Sequence, residues 1–170
     1  MKKNLKLLSV LCLAMIMISC KKQDFNGLSD VRPAVPVTVT NAIDFRPEPT
    51  VGTSISAGGA IQITLAIPAN SGRTIKEITR IAASTTYTAI QSGGTTGFYT
   101  TTPPFAPIPV NAATYTFNTS LSQYFAIHPV SASNPAAAAN TELARRFYFK
   151  ITLDDGSVII PESVRVLVSN

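Results

Sequence analysis

Cysteine is nearly missing from this 170-residue chain: Cys12 and Cys20 are the only two, and both fall within the first twenty residues. Beyond them no thiol remains for a disulfide, a thiolate metal site or a cysteine nucleophile. Tryptophan is absent, and His128 is the single histidine. A Ser-His-Asp catalytic set would have to use it. It follows Phe125-Ala126-Ile127 and precedes Pro129, in what reads as a strand end, and no Gly-x-Ser-x-Gly elbow accompanies it. A surface or partly packed histidine is the expectation. One histidine without free thiols leaves a zinc ion only carboxylates to complete its shell.

Charge is scarce as well. Asp44, Glu48, Glu77, Glu142 and Glu162 are scattered singly, and Asp154-Asp155 sit beside a glycine in a turn. Paired carboxylates held across a cleft are therefore not signalled. The alternating Asp/Asn spacing of a calcium loop is missing. Gly93-Gly94 has no following lysine to make a phosphate cradle. The chain is expected to be no enzyme and to carry no cofactor.

The formal net charge of +5 overstates how basic the folded part is. Lys2, Lys3 and Lys6 belong to the N-terminal leader described next. Without them eleven basic residues face nine acidic ones, a net of +2, and Lys21 and Lys22 account for two of the basic ones. Only Arg145 and Arg146 are adjacent within a strand-like run. Phosphate neutralisation needs clustered cations, so a nucleic-acid partner is set aside.

What is present starts at the N-terminus. Lys2, Lys3 and Lys6 precede an apolar stretch, Leu7 to Ile18. At roughly a dozen residues it is shorter than the ~20 that span a hydrocarbon core. It reads as an insertion signal rather than a permanent membrane helix. Met17-Ile18-Ser19-Cys20 closes it. That run resembles the lipobox of bacterial lipoproteins, with Ser19 and Cys20 in the usual pattern and Met17 and Ile18 looser. The resemblance implies a diacylglycerol on the Cys20 sulfur and cleavage before it. One acyl chain binds a membrane reversibly, and two or three hold it firmly. The charged run Lys21-Lys22-Gln23-Asp24 is similar to surface-export signals of Bacteroidota lipoproteins. Outer-membrane attachment is expected, surface-exposed or facing the periplasm.

The organisation read from this is a signal peptide over 1–19, a lipidated polar tether over 20–36 and one domain over 37–170. Val37 and Val39 alternate with threonines. Ile61, Ile63, Leu65 and Ile67 alternate with Gln62, Thr64 and Ala66, between Gly58-Gly59 and Pro68. This predicts a central strand with one face in the core. Ile75, Ile78 and Ile81 are spaced by three, which fits a helical turn or a bulged strand; the β-branched company favours the strand. Tyr87 to Gln91 reads as a short strand. Residues 93–109 hold Pro103, Pro104, Pro107 and Pro109 and read as a long connection or an edge excursion. Tyr115 and Phe117 mark another strand, with Leu121, Tyr124 and Phe125 as further apolar anchors. Asn134-Pro135 and the alanines after it admit a short helix or a loop over 131–141.

Phe147, Phe149, Ile151 and Leu153 point one way from a strand that ends at Asp154-Asp155-Gly156-Ser157, a turn. Val164, Val166 and Val168 mark the return, with Val164 to Val168 the candidate edge strand. Six or seven strands with little helix predict an all-β fold, a single antiparallel two-sheet β-sandwich. The order of elements over about 37–169 resembles an immunoglobulin-like or fibronectin type III-like domain, without the cysteine pair and buried tryptophan of antibody domains. Such architecture assigns no activity.

Function is thus expected from binding. Phe98, Tyr99 and Phe105 lie in the Gly/Thr/Pro-rich stretch and are candidate contacts to a glycan or a protein partner, unless the segment folds back over them. Two readings stand: a glycan-binding accessory of nutrient uptake, as small sandwich lipoproteins of Bacteroidota often are, or an adhesin or fimbrial-type subunit that pairs strands with a neighbour. The absence of tryptophan, the best sugar-stacking side chain, weighs against the first.

Overall fold

Alternation of apolar and polar residues puts every second side chain of Ala60–Ala66 on one face, and the core is built around that strand. The structure is a computed structural model that describes residues 33–91 and 106–170. In chain order the strands are β1 (Thr38–Val39), β2 (Thr50–Ser54), β3 (Ala60–Ala66), β4 (Ile75–Ser84), β5 (Ile108–Ala112), β6 (Thr114–Ser120), β7 (Thr141–Glu142), β8 (Arg146–Leu153), β9 (Val158–Ile159) and β10 (Arg165–Ser169). Two short helices interrupt them: α1 (Thr88–Gln91) between β4 and β5, and α2 (Leu121–Ile127) directly after β6.

Three ladders form, in the orders β1-β3-β6, β5-β4-β8-β9 and β2-β10-β7. The last two join where Phe147 and Val164 exchange backbone hydrogen bonds of 2.9 and 2.8 Å. The result is an all-β sandwich, with β1-β3-β6 as one layer and the extended β4–β8–β10 surface as the other. All ladder pairings are antiparallel except β2–β10, which run parallel from Arg165↔Thr50 to Ser169↔Ser54. Between the layers lie Ile61, Ile63, Leu65, Ile75, Ile78, Ile81, Phe117, Phe147, Phe149 and Ile151, all buried.

The predicted central strand is β3, paired on one side with β1 and on the other with β6 over seven residues. Gly59 is what lets it start: φ is +69°, and an added Cβ would come within 3.0 Å of the Leu121 side chain. The isoleucines spaced by three share one face of β4 because the register shifts twice, between Ile75 and Glu77 and between Ile78 and Arg80. Each bulge inserts a residue and restores the facing of the next isoleucine. Pro109 sits in β5, an edge strand of its sheet, where a missing N–H costs no ladder bond.

Two expectations are corrected, and two that the sequence left open are resolved. Tyr87 to Gln91 is not a strand. The Ser84 hydroxyl accepts the Thr86 N–H at 3.2 Å, which closes β4, and the chain then turns into α1. Leu121 to Phe125 belongs to a helix. The Ser120 hydroxyl caps it by accepting the Gln123 N–H, so Leu121, Tyr124 and Phe125 reach the core together. Residues 131–141 take the loop alternative, with a bridge between Ser131 and Asn134 at its start and Thr141 opening β7 at its end. Finally, Val164 to Val168 is no edge: β10 pairs with β2 on one side and with β7 on the other. Val164, Val166 and Val168 are fully buried in the core, and with a partner on each side β10 has no free backbone edge to offer.

Two ends of the sandwich follow from the register. Ile75 pairs with Leu153 at one end of the β4–β8 ladder, and Ser84 pairs with Arg146 at the other. Pro33 and Val35 lie against Arg73, Leu153 and Asp155, at the first of these ends. The Asp154–Ser157 turn is there too, with Gly156 at φ +81° and Asp155 accepting both the Ser157 N–H and hydroxyl.

Candidate functional site

Outward-facing residues of the second layer carry a feature the first layer lacks. On β1-β3-β6 no strand residue is charged, and the exposed side chains bond each other: Gln62 to Asn118 at 3.1 Å and Thr64 to Thr116 at 3.2 Å. On β4 and β8 the outer face is covered by a small second cluster. Ile90 of α1 is wholly buried against Ala82 and Tyr148, with Ile160 beside them. Where this cover stops, a cleft of about 420 Å³ opens.

Three loops and one strand shape it. Arg146 and Tyr148 come from β8, Thr85 and Tyr87 from the turn after β4, Glu48 from the β1–β2 connection, and Glu162 with Ser163 from the segment before β10. Tyr87 is 45% exposed and stands edge-on to Tyr148, ring centroids 6.1 Å apart. The polar wall is a pair. Arg146 Nη1 donates to Glu48 Oε1 at 3.2 Å, and its Nε lies 3.0 Å from Oε2 as an ion pair without hydrogen-bond alignment. Ser163 Oγ donates to Glu48 Oε1 at 2.8 Å. The Glu48 side chain is 23% exposed and that of Arg146 46%, so the pair is half in solvent. An aromatic face beside a fixed donor–acceptor plane is the chemistry that holds a hydroxyl-rich ring: C–H groups on the π surface, hydroxyls on the charged plane.

His128 is not a strand-end residue but the C-cap of α2, and only 9% exposed. Its backbone N–H donates to the Tyr124 carbonyl at 2.8 Å, and its ring lies 5.5 Å from the Tyr124 ring. Burial, and secondly the Arg145 charge, hold its imidazole below the usual pKa of 6.5. Nε2 has no hydrogen-bond partner among the described residues. No serine or carboxylate is bonded to it there, so nothing described makes it a general base.

Around it runs a closed network. Tyr124 Oη donates to Asn134 Oδ1 at 2.7 Å, and Asn134 Nδ2 donates to the His128 carbonyl at 2.7 Å and the Pro129 carbonyl at 3.3 Å. Tyr124 and Asn134 are both buried, and desolvation raises the Tyr124 hydroxyl above its ordinary range. This network pins the loop after α2.

Cys20, Phe98, Tyr99 and Phe105 lie outside the described residues. Asp154 and Asp155 occupy the turn as expected and pair with Arg73, Asp155 at 2.9 Å. Among the described residues no three His, Cys, Asp or Glu side chains group to hold a metal. Nor is any described helix long and apolar enough to cross a membrane. The cleft residues Glu48, Tyr87, Arg146 and Glu162 were not singled out by sequence. They are 114 positions apart at the extremes, and only the sandwich brings them together. The one local signal was the Ser84-Thr85-Thr86 run, where the Ser84 hydroxyl accepts the Thr86 N–H and so marks where β4 stops.

No family model matches this chain. No curated protein matches it either.

Proposed function

We propose that this chain is a non-enzymatic, lipid-anchored binding module of the outer membrane that takes a glycan in the Tyr87 cleft. The observation that carries the reading is the exposed Tyr87 ring beside the Glu48–Arg146 plane. Saccharide sites combine an aromatic platform with side chains that hydrogen-bond hydroxyls bidentately, and the cleft has one of each. Cys20, as the acylated residue, would hold the chain in the membrane, with the domain surface-exposed or facing the periplasm.

The position of the cleft supports display. The described chain enters beside Arg73 and Leu153, whereas Arg146 lies at the opposite end of β8. Nine steps along β4 separate those ends, a span of about 30 Å. A ligand would therefore meet the half of the sandwich distal to Pro33.

The strand-pairing alternative loses the strand proposed for it, since β10 is paired on both sides. The test is a glycan array probed with the mature chain, followed by Tyr87→Ala and Arg146→Ala. Binding that falls at least tenfold in both variants, with unchanged circular dichroism, is the expected result. An array that stays dark, or binding indifferent to both changes, rejects the reading. Intact mass of the mature N-terminus checks the anchor separately: an unmodified Cys20 sulfur removes it.

A further inference from the structure

We infer that Glu162 makes the cleft selective for uncharged glycans over glycans bearing carboxylates or sulfates. The inference rests on the glycan reading above and specifies the ligand class. It follows from which charges in the cleft are already paired.

Among the described residues three charged side chains line the cavity: Glu48, Arg146 and Glu162. Arg146 is the one cation, and Glu48 holds it through both Nε and Nη1. Its charge is therefore compensated before any ligand arrives. Ser163 Oγ adds a hydrogen bond to Glu48 Oε1, which fixes the acceptor side of that pair. Glu162 immediately precedes Ser163, is exposed, and has no ion-pair or hydrogen-bond partner among the described residues. The cavity thus carries one uncompensated negative charge. Two further cations on this outer face, Arg80 and Lys150, pair in register four residues from the Ser84–Arg146 pair, toward Ile75. The Arg80 guanidinium donates to the Ile90 carbonyl, so it is tied beneath α1 rather than turned into the cavity.

A uronic acid or sulfated sugar stacked on Tyr87 would put its anion beside Glu162, and the one cation among the described lining residues, Arg146, is already paired. Like charges about 7 Å apart in a solvated cleft repel by roughly 0.6 kcal/mol, or about threefold in affinity, and more as water is excluded. A neutral sugar meets no such term. Its hydroxyls can donate to Glu162 and accept from the remaining N–H groups of Arg146. Rim charges act in this way mostly as selectivity, by penalising the wrong partner.

The experiment uses the mature wild-type chain and Glu162→Gln on an array of neutral oligosaccharides, each printed beside its C6-oxidised, carboxylate-bearing counterpart. The expected result is tighter binding to the neutral member of each bound pair, by at least threefold in low salt. Glu162→Gln should erase that preference by strengthening the oxidised member relative to the neutral one, and raising the salt should shrink it in wild type. Equal or tighter binding of the oxidised member by wild type overturns the inference and leaves the glycan reading standing. A neutral preference that survives in Glu162→Gln overturns the role of that residue. No binding to any printed sugar overturns the glycan reading and this inference together.

Discussion

Two polar networks tie loops to the sandwich, and they differ in charge and in closure. One is Glu48–Arg146–Ser163 at the rim of the cleft; the other is Tyr124–Asn134–His128 at the corner after α2. The first joins formally charged groups that keep a quarter to a half of their surface in water. The second joins neutral groups, with Tyr124 and Asn134 sealed off and His128 nearly so. A buried neutral network is expensive to disturb and has nothing left to offer a ligand. A half-exposed ion pair contributes little to folding, and the exposed part of Arg146 keeps donors that Glu48 does not use. The contrast separates a clasp from a site.

The sharpest way to break that contrast is to open the clasp. Asn134→Ala removes the acceptor of the Tyr124 hydroxyl and the donor to two carbonyls. Each buried group left unpaired costs about 1–3 kcal/mol, so a loss of about 2–4 kcal/mol is expected in chemical denaturation. Tyr124→Phe should lose less, because the ring stays packed on Phe147. The double variant should fall short of the sum of the two, since one hydrogen bond is counted in both. Additive losses would show that these residues do not act as one clasp.

Acid probes the same corner through a single residue. In the unfolded chain His128 titrates near its usual 6.5, and in the fold burial and then Arg145 hold it lower. Between those two values the unfolded state binds the extra proton and the folded state does not. Stability is therefore complete above about pH 6.5, declines as pH falls through that window, and stops declining once the folded imidazole is protonated too. No residue from 129 to 140 is charged, and the titratable or charged groups facing the ring are Tyr124 of α2 and Arg145 before β8. Neither supplies a compensating anion. His128→Gln should flatten the stability profile between pH 7.5 and 5 while leaving glycan binding unchanged. Asp44 and Asp155 do not confuse the measurement, because their lowered carboxyl values put their losses in a more acidic range. An identical profile in the variant would show that the His128 imidazole is not the group behind the loss of stability in acid.

How much of this was readable beforehand depends on the range of the interaction. The alternation in Ile61–Ile67 and Phe147–Leu153 reports burial of one face, a local property, and both strands were legible. The three-residue spacing of Ile75, Ile78 and Ile81 fitted a helical turn or a bulged strand alike, and the β-branched company pointed to the strand that β4 is. The role of β10 was not legible. Its two buried valines, and Val164 just before them, look the same on an edge or in the middle of a sheet. The deciding strand, β2, reads Thr-Val-Gly-Thr-Ser, which has too few apolar residues to announce itself. α2 was missed for a similar reason: seven residues hold barely two turns, and the Ser120 cap counts only once Tyr124 has a core to enter. The cleft was the least legible of all. Glu48 meets Arg146 across 98 positions and Ser163 across 115, contacts that no spacing within a single element can signal.

The smallest expected change in stability is also the most telling about the cleft. Glu48→Gln keeps the shape of the side chain and an acceptor for Ser163, and it removes the charge that compensates Arg146. Because both groups are partly solvated, the stability loss should stay within about 1 kcal/mol. Glycan recognition should respond differently. With Arg146 released, Glu162 becomes the compensated partner, and the cavity passes from a net negative to a neutral lining. Carboxylate-bearing sugars should then bind about threefold tighter than they do to wild type, the magnitude of one removed like-charge contact. A variant that unfolds by several kcal/mol would place Glu48 with the clasp instead, as a buried charge that the fold depends on. A variant that keeps both its stability and its ligand preference would mean that the pair neither supports the fold nor reads the ligand.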